Sequence, residues 1–85
     1  MEFGESVFEK FILDLDEEDY LSKISKRINV TISHLSNVSS LLKKKGIIEN
    51  SPNQKSKRYN LIRLTKKGEK IRLNLIKIRD ILEND

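Results

Sequence analysis

Between positions 31 and 40 the chain reads Thr-Ile-Ser-His-Leu-Ser-Asn-Val-Ser-Ser, mostly short polar side chains with apolar ones set among them. On a helix whose stripe of Leu35, Val38, Leu41 and Leu42 faces inward, Ser33, His34, Ser36, Asn37 and Ser40 fall on the opposite side. Hydroxyls both donate and accept, a carboxamide offers a donor beside an acceptor, and an imidazole does either. That set suits hydrogen bonding to planar, edge-on partners: an asparagine can bond adenine N6 and N7 together. The plainer reading is that these residues only solvate an exposed face. An exposed helix without further duty, however, draws on Glu, Lys and Ala, whereas four serines and one asparagine between positions 33 and 40 give up helix propensity. We therefore take Ser33, His34, Ser36 and Asn37 as candidate base readers, and Thr31 and Ser40 as candidate phosphate contacts.

A second group is basic. Lys55, Lys57 and Arg58 follow a turn-forming Ser51-Pro52-Asn53-Gln54 and suit phosphate or minor-groove contact, though charge at such a place also protects an exposed hairpin from edge pairing. Lys43, Lys44 and Lys45 are ambiguous, because they fit a helix C-terminus as well as a phosphate. Catalytic chemistry has no comparable candidates. There is no cysteine, His34 is the only histidine, and no glycine-rich loop could cradle a phosphate. An enzyme, a metal site and a bound cofactor are not expected.

The charge distribution agrees with a polyanionic partner. Residues 1–19 carry a net −7 and residues 20–79 a net +14, which the overall +4 conceals. A lysine-rich solvated surface is the alternative explanation. No apolar run approaches the roughly 18 residues of a membrane span, and the acidic N-terminus lacks the layout of a signal peptide. A cytoplasmic, nucleoid-associated protein is the expectation, with no membrane partner.

These groups need elements to hold them, and the 85 residues suffice for one domain. Phe3, Val7, Phe8, Phe11, Ile12 and Leu15 mark one face of a first helix, which starts near residue 3 or at a Ser6–Glu9 capping box. The acidic run 16–19 reads as a connection and Tyr20-Leu21 as a very short strand. Ser22 then caps a short helix that carries Ile24 and Ile28. Asn29 suits a left-handed turn, Thr31 caps the next helix over about residues 31–45, and Gly46 ends it. Ile47-Ile48 and residues 59–64 read as two strands of a hairpin with residues 54–58 at its tip. Tyr59 and Leu61 face one way and Ile62 and Leu64 the other, with the inward pair undetermined. Thr65 caps a final helix of roughly 18 residues.

The order helix, helix-turn-helix, hairpin, helix (α-α-α-β-β-α) is that of a winged helix-turn-helix: mainly α with a small β-hairpin wing. Three segments carry a family resemblance. Residues 21–31, Leu-Ser-Lys-Ile-Ser-Lys-Arg-Ile-Asn-Val-Thr, resemble the first half of the motif in MarR-like regulators. Leu42-Lys43-Lys44-Lys45-Gly46-Ile47-Ile48-Glu49 is similar to their helix exit and first wing strand. Leu64-Thr65-Lys66-Lys67-Gly68 is similar to the Leu-Thr-x-x-Gly opening of their post-wing helix. The resemblance covers about residues 20–72 and implies that Gly68 is a packing glycine. The wing departs from the family in having Ser56 where an acidic residue often precedes the basic pair. The chain is also shorter than full members, which argues against a small-molecule effector.

The last helix, about residues 65–83, places Ile71, Leu75, Ile78 and Leu82 at spacings of four, three and four, with Leu73, Ile76 and Ile81 on a second side. A homodimer through the first set is the expected use of so much apolar surface. The whole reading is a single domain over residues 1–85: a dimeric, sequence-specific regulator that binds double-stranded DNA. Its rivals are a winged-helix module that docks a protein of replication or transcription machinery, and a sequence-tolerant chromatin or plasmid-maintenance protein.

Overall fold

The computed structural model describes residues 6–55 and 60–84. Along them run α1 (Val7–Asp14), β1 (Asp19–Tyr20), α2 (Leu21–Arg27), α3 (Ile32–Lys44), β2 (Ile48–Asn50), β3 (Leu61–Leu64) and α4 (Lys66–Glu83). The strands form one antiparallel sheet in the order β1-β3-β2. This is the winged helix-turn-helix architecture expected from the element order. Phe3, Lys57, Arg58 and Tyr59 lie outside the described residues.

α1 begins at the later of its two possible starts. Ser6 sits at the N-cap with extended backbone, yet its side chain makes no capping hydrogen bond, so the Ser6–Glu9 box is not what starts the helix. Phe11, Ile12 and Leu15 turn into the core and Phe8 stays exposed. β1 comes one residue earlier than expected, and α2 follows it directly. Ser22 is therefore inside the first turn and does not cap the helix; Tyr20 holds the N-cap position. The reason is the sheet: Leu21 N–H donates to the carbonyl of Asn60 at 3.0 Å, so one of the helix's first N–H groups is satisfied by the segment that leads into β3.

The turn between α2 and α3 follows from Asn29, which adopts φ 56°. With Asn29 left-handed, Val30 N–H reaches back to the Ser25 carbonyl at 3.0 Å, the six-to-one bond that closes a Schellman ending. Thr31 then caps α3, its Oγ1 accepting from His34 N–H at 3.2 Å. α3 ends in the same manner: Gly46 at φ 72°, Gly46 N–H on Lys43 O at 3.0 Å and Ile47 N–H on Leu42 O at 2.9 Å. Its inward stripe differs from expectation at one place. Leu35, Val38, Ser39 and Leu42 are buried, and Leu41 is exposed.

β2 and β3 pair with Ile48 opposite Leu64 and Asn50 opposite Ile62. Ile62 joins the main core and Leu64 packs against it, Leu61 of the other pair is buried as well, and Arg63 points out beside Glu49 at 3.7 Å. Thr65 caps α4 by accepting from Gly68 N–H at 3.1 Å. The same hydroxyl shares its one proton between two carbonyls at the α3 exit, Gly46 O at 2.5 Å and Ile47 O at 3.1 Å. Gly68 is buried against that exit: a Cβ there would stand 2.1 Å from Ile47 O. It is a packing glycine, as the resemblance implied.

The acidic run is more than a connection. Arg27 on α2 bonds Asp14 at 2.7 Å and Asp19 at 2.6 Å, bracketing the loop from both ends. Those hydrogen bonds, Asp14 first and then Asp19, raise the guanidinium above its already high ordinary pKa. Arg72 of α4 donates to Leu13 O at 3.2 Å and lies 3.3 Å from Asp16. Glu18 accepts from Ser51 Oγ at 2.9 Å and Asn53 Nδ2 at 2.8 Å. The carboxylates of this loop thus fasten α1, α2, α4 and the wing to one another.

Candidate nucleic-acid interface

α3 packs against α2 and β2, and the opposite side of the helix is open. Ser33, His34, Ser36, Asn37 and Ser40 are all exposed. At 100° per residue, Ser33, Asn37, Ser40 and Lys44 follow one line down the middle of that side, with Ser36 on one flank and His34 and Leu41 on the other. The candidate base readers therefore lie together on one surface. Ser39 does not belong to it, because it is buried, so three of the four serines face outward. Thr31 is exposed, with its oxygen already engaged as the cap.

Lys44 was ambiguous in the sequence and gains a place here. The need to satisfy the end of α3 is met from elsewhere: Lys67 Nζ donates to Lys45 O at 2.7 Å and Thr65 Oγ1 donates to Gly46 O. Lys44 and Lys45 are exposed beyond Ser40, and no carboxylate occurs anywhere from Thr31 to Gly46. The i, i+4, i+7, i+11 spacing of positions 33, 37, 40 and 44 was the available signal. Ile32 and Leu41, both exposed, were also overlooked as members of this surface.

The wing is gathered at its neck. Ser51 N–H donates to Leu61 O at 2.8 Å, Gln54 N–H to Ser51 O at 3.2 Å, and Leu61 N–H to Gln54 Oε1 at 3.0 Å. Gln54 consequently closes the neck and is not part of the tip. Lys55, the next residue, is exposed, whereas Lys57 and Arg58 fall outside the described residues.

The apolar seam of α4 divides. Ile71 and Leu75 pack against the chain's own core, and Ile78 and Leu82 run past it into the open, 46% and 56% exposed. Leu73 and Ile81, on the other sides of the helix, are exposed as well. A shallow open cleft of 460 Å³ lies between α1, α2 and α4, lined by Lys10, Leu13, Asp14, Arg27, Ile28 and Arg79. Asp14 and Arg27 there are engaged with each other. Among the described residues no cluster of His, Asp or Glu could hold a metal ion, and no helix is long and apolar enough to cross a membrane.

No family model matches the chain, and no curated protein matches it in sequence. Solved structures do match in fold. FabT of Streptococcus pneumoniae, solved in complex with DNA, superposes with a TM-score of 0.77 over 93% of this chain at 24% identity. AF1382 of Archaeoglobus fulgidus superposes with a TM-score of 0.78 over 89% of this chain and 87% of its own, also at 24% identity. The transcriptional regulator SlyA gives 0.77 over 87% of this chain at 16% identity. The chain spans little more than half of FabT and SlyA, 57% and 54% of their lengths. Sheet order, capped turns, the buried glycine after the wing and these superpositions agree: the chain has the MarR-like winged helix-turn-helix fold.

Proposed function

We propose that this chain is a sequence-specific transcriptional regulator that binds double-stranded DNA with α3 in the major groove. The observation that carries the reading is the outer side of α3, a surface of short hydrogen-bonding side chains without a carboxylate, leading into exposed lysines. A helix meets base edges with such side chains near its N-terminal half. Ser33, His34, Ser36 and Asn37 are the base-reading set. Thr31, Ser40, Lys55, Lys57 and Arg58 hold the backbone or minor groove, with Lys44 added to them from the structure. FabT, solved with DNA, and the transcriptional regulator SlyA share the fold, which supports the same role. The protein acts by binding and not by catalysis, at the nucleoid, as one domain with α4 as its dimerisation helix. Two copies meet through the exposed distal half of α4, Ile78 and Leu82, with Ile71 and Leu75 anchoring that helix to each core.

Duplex binding by the wild-type chain and by Asn37→Ala, on a selected site and on random sequence, tests this. The expected result is a loss of about 1–3 kcal/mol on the selected site and almost none on random DNA. Equal losses on both would show a sequence-tolerant binder. No binding at low salt would favour a protein-docking module.

A further inference from the structure

The fold leaves two apolar side chains outside on the helix that otherwise presents polar ones. Ile32, at the start of α3, is 49% exposed, and Leu41, in its third turn, is 40% exposed. Neither is needed there for helix formation, since Lys, Glu or Gln would serve an open position equally well without leaving apolar surface in water. Nor do they form the kind of patch found on the distal half of α4, where Ile78, Ile81 and Leu82 accompany Asp80 and Glu83. Ile32 and Leu41 stand singly, one on each flank of the Ser33–Asn37–Ser40–Lys44 line. α3 itself carries no carboxylate and ends in lysines, which fits an anionic occupant that also offers small apolar groups.

We propose that Ile32 and Leu41 read the C5-methyl groups of thymines in the major groove, an inference that rests on α3 being the element that enters it. Among unmodified base edges in that groove only thymine presents an apolar group, its methyl beside the O4 acceptor. Serine, asparagine and histidine recognise the hydrogen-bonding groups and have no means of detecting the methyl; a branched aliphatic side chain does. The two positions are nine residues apart in number, roughly 13–14 Å along the helix axis. Thymines would accordingly be sensed toward both ends of the stretch that α3 covers, with the polar readers between. Leu41 lies one turn beyond Asn37, which pairs adenine chemistry with thymine chemistry on adjoining turns. The site preferred by this helix is then rich in A·T pairs, read through their edges.

The test uses the full chain and its selected duplex, with each thymine replaced in turn by deoxyuridine. Uracil keeps every hydrogen-bonding group of thymine and lacks only the methyl. At the thymines met by Ile32 and Leu41, replacement should weaken binding about fourfold, the effect of leaving one methyl group unburied. Leu41→Ala should bind the thymine and uracil forms alike at its own position and remain sensitive at the position met by Ile32. Because Leu41 is exposed, this variant leaves the core untouched, and the uracil series with wild-type protein needs no variant at all. Equal binding to every uracil duplex overturns the inference, as does a Leu41→Ala chain that still senses every thymine. A chain that binds no duplex fails at the proposed function itself, so the two failures are distinguishable.

Discussion

Replacing Gly68 by alanine should be among the most damaging single-methyl changes possible in this domain. The new Cβ would lie 2.1 Å from Ile47 O, 3.0 Å from Leu64 Cδ2 and 3.2 Å from Ile47 C. Carbon and carbonyl oxygen in ordinary contact stand roughly 3.3–3.6 Å apart, so the backbone of one element must retreat by more than an ångström. Ile47 O is not at liberty to do so, because it accepts from Thr65 N–H at 3.0 Å and Thr65 Oγ1 at 3.1 Å. Overpacking of this kind costs about 1–3 kcal/mol. The two hydrogen bonds add about 1 kcal/mol each if they are lost, and better helix propensity returns about 1 kcal/mol. The balance is a loss of about 2–4 kcal/mol, which at roughly 4–8 °C per kcal/mol lowers Tm by about 10–30 °C. Gly46→Ala supplies the contrast. Nothing lies within 4 Å of its Cβ, so only the left-handed φ of 72° is penalised, by about 1–2 kcal/mol, and Gly46→Asn should be milder still. Thermal and urea unfolding of the three variants decides the matter. A Gly68→Ala chain as stable as wild type, or more stable than Gly46→Ala, would refute the steric argument.

Lys44→Ala should weaken selected and random duplexes to a similar degree and reduce the salt slope of binding by about one, measured by titration across a salt series. Ile78→Asp should give monomers in sedimentation if α4 pairs two copies. Leu75→Asp, which places a charge against the core, should instead unfold the chain. Glu18→Ala releases both Ser51 and Asn53 and should cost about 1–2 kcal/mol in urea unfolding. Arg27→Ala should cost no more than about 1 kcal/mol, since the side chain is 43% exposed, and the difference should shrink in high salt. The raised guanidinium pKa means that on the alkaline side this contribution stays complete through neutral pH and fades as pH climbs into strong alkali.

Local chemistry was enough to place several of these features in advance. Asn29 and Gly46 announce the left-handed turns, and Thr31 and Thr65 announce helix starts. Each depends on a residue type that few others can replace. Features set by distant partners were harder to read. Periodicity allows either Ser39 or Leu41 to complete the inward stripe of α3, and hydrophobicity pointed to leucine. The packing of α3 against its neighbours turned serine inward instead, leaving a leucine on the surface assigned to reading. Ser22 carries the chemistry of a cap but lost that place to a strand partner more than thirty residues away. The spacing of Ile71, Leu75, Ile78 and Leu82 is one uninterrupted seam, and only the extent of the core decides that it divides after Leu75. The shared outward side of Ser33, His34, Ser36 and Asn37 was legible because their direction follows from Leu35, Val38 and Leu42 alone.

The order of strands in the sheet has a consequence for how the domain is made. β3, the central strand, is the last of the three to leave the ribosome, and both of its neighbours precede it in the chain. α2 and α3 are thus enclosed within a loop that closes only when Tyr20 meets Leu61. Until residue 64 has emerged, β1 and β2 have nothing to pair with, and the nascent helices have only each other to bury their apolar sides against. Closing so long a loop is an entropic barrier that local helix formation does not remove. Folding of this domain should therefore be late and cooperative, with a chain released at residue 60 left open to proteases and one released after α4 protected.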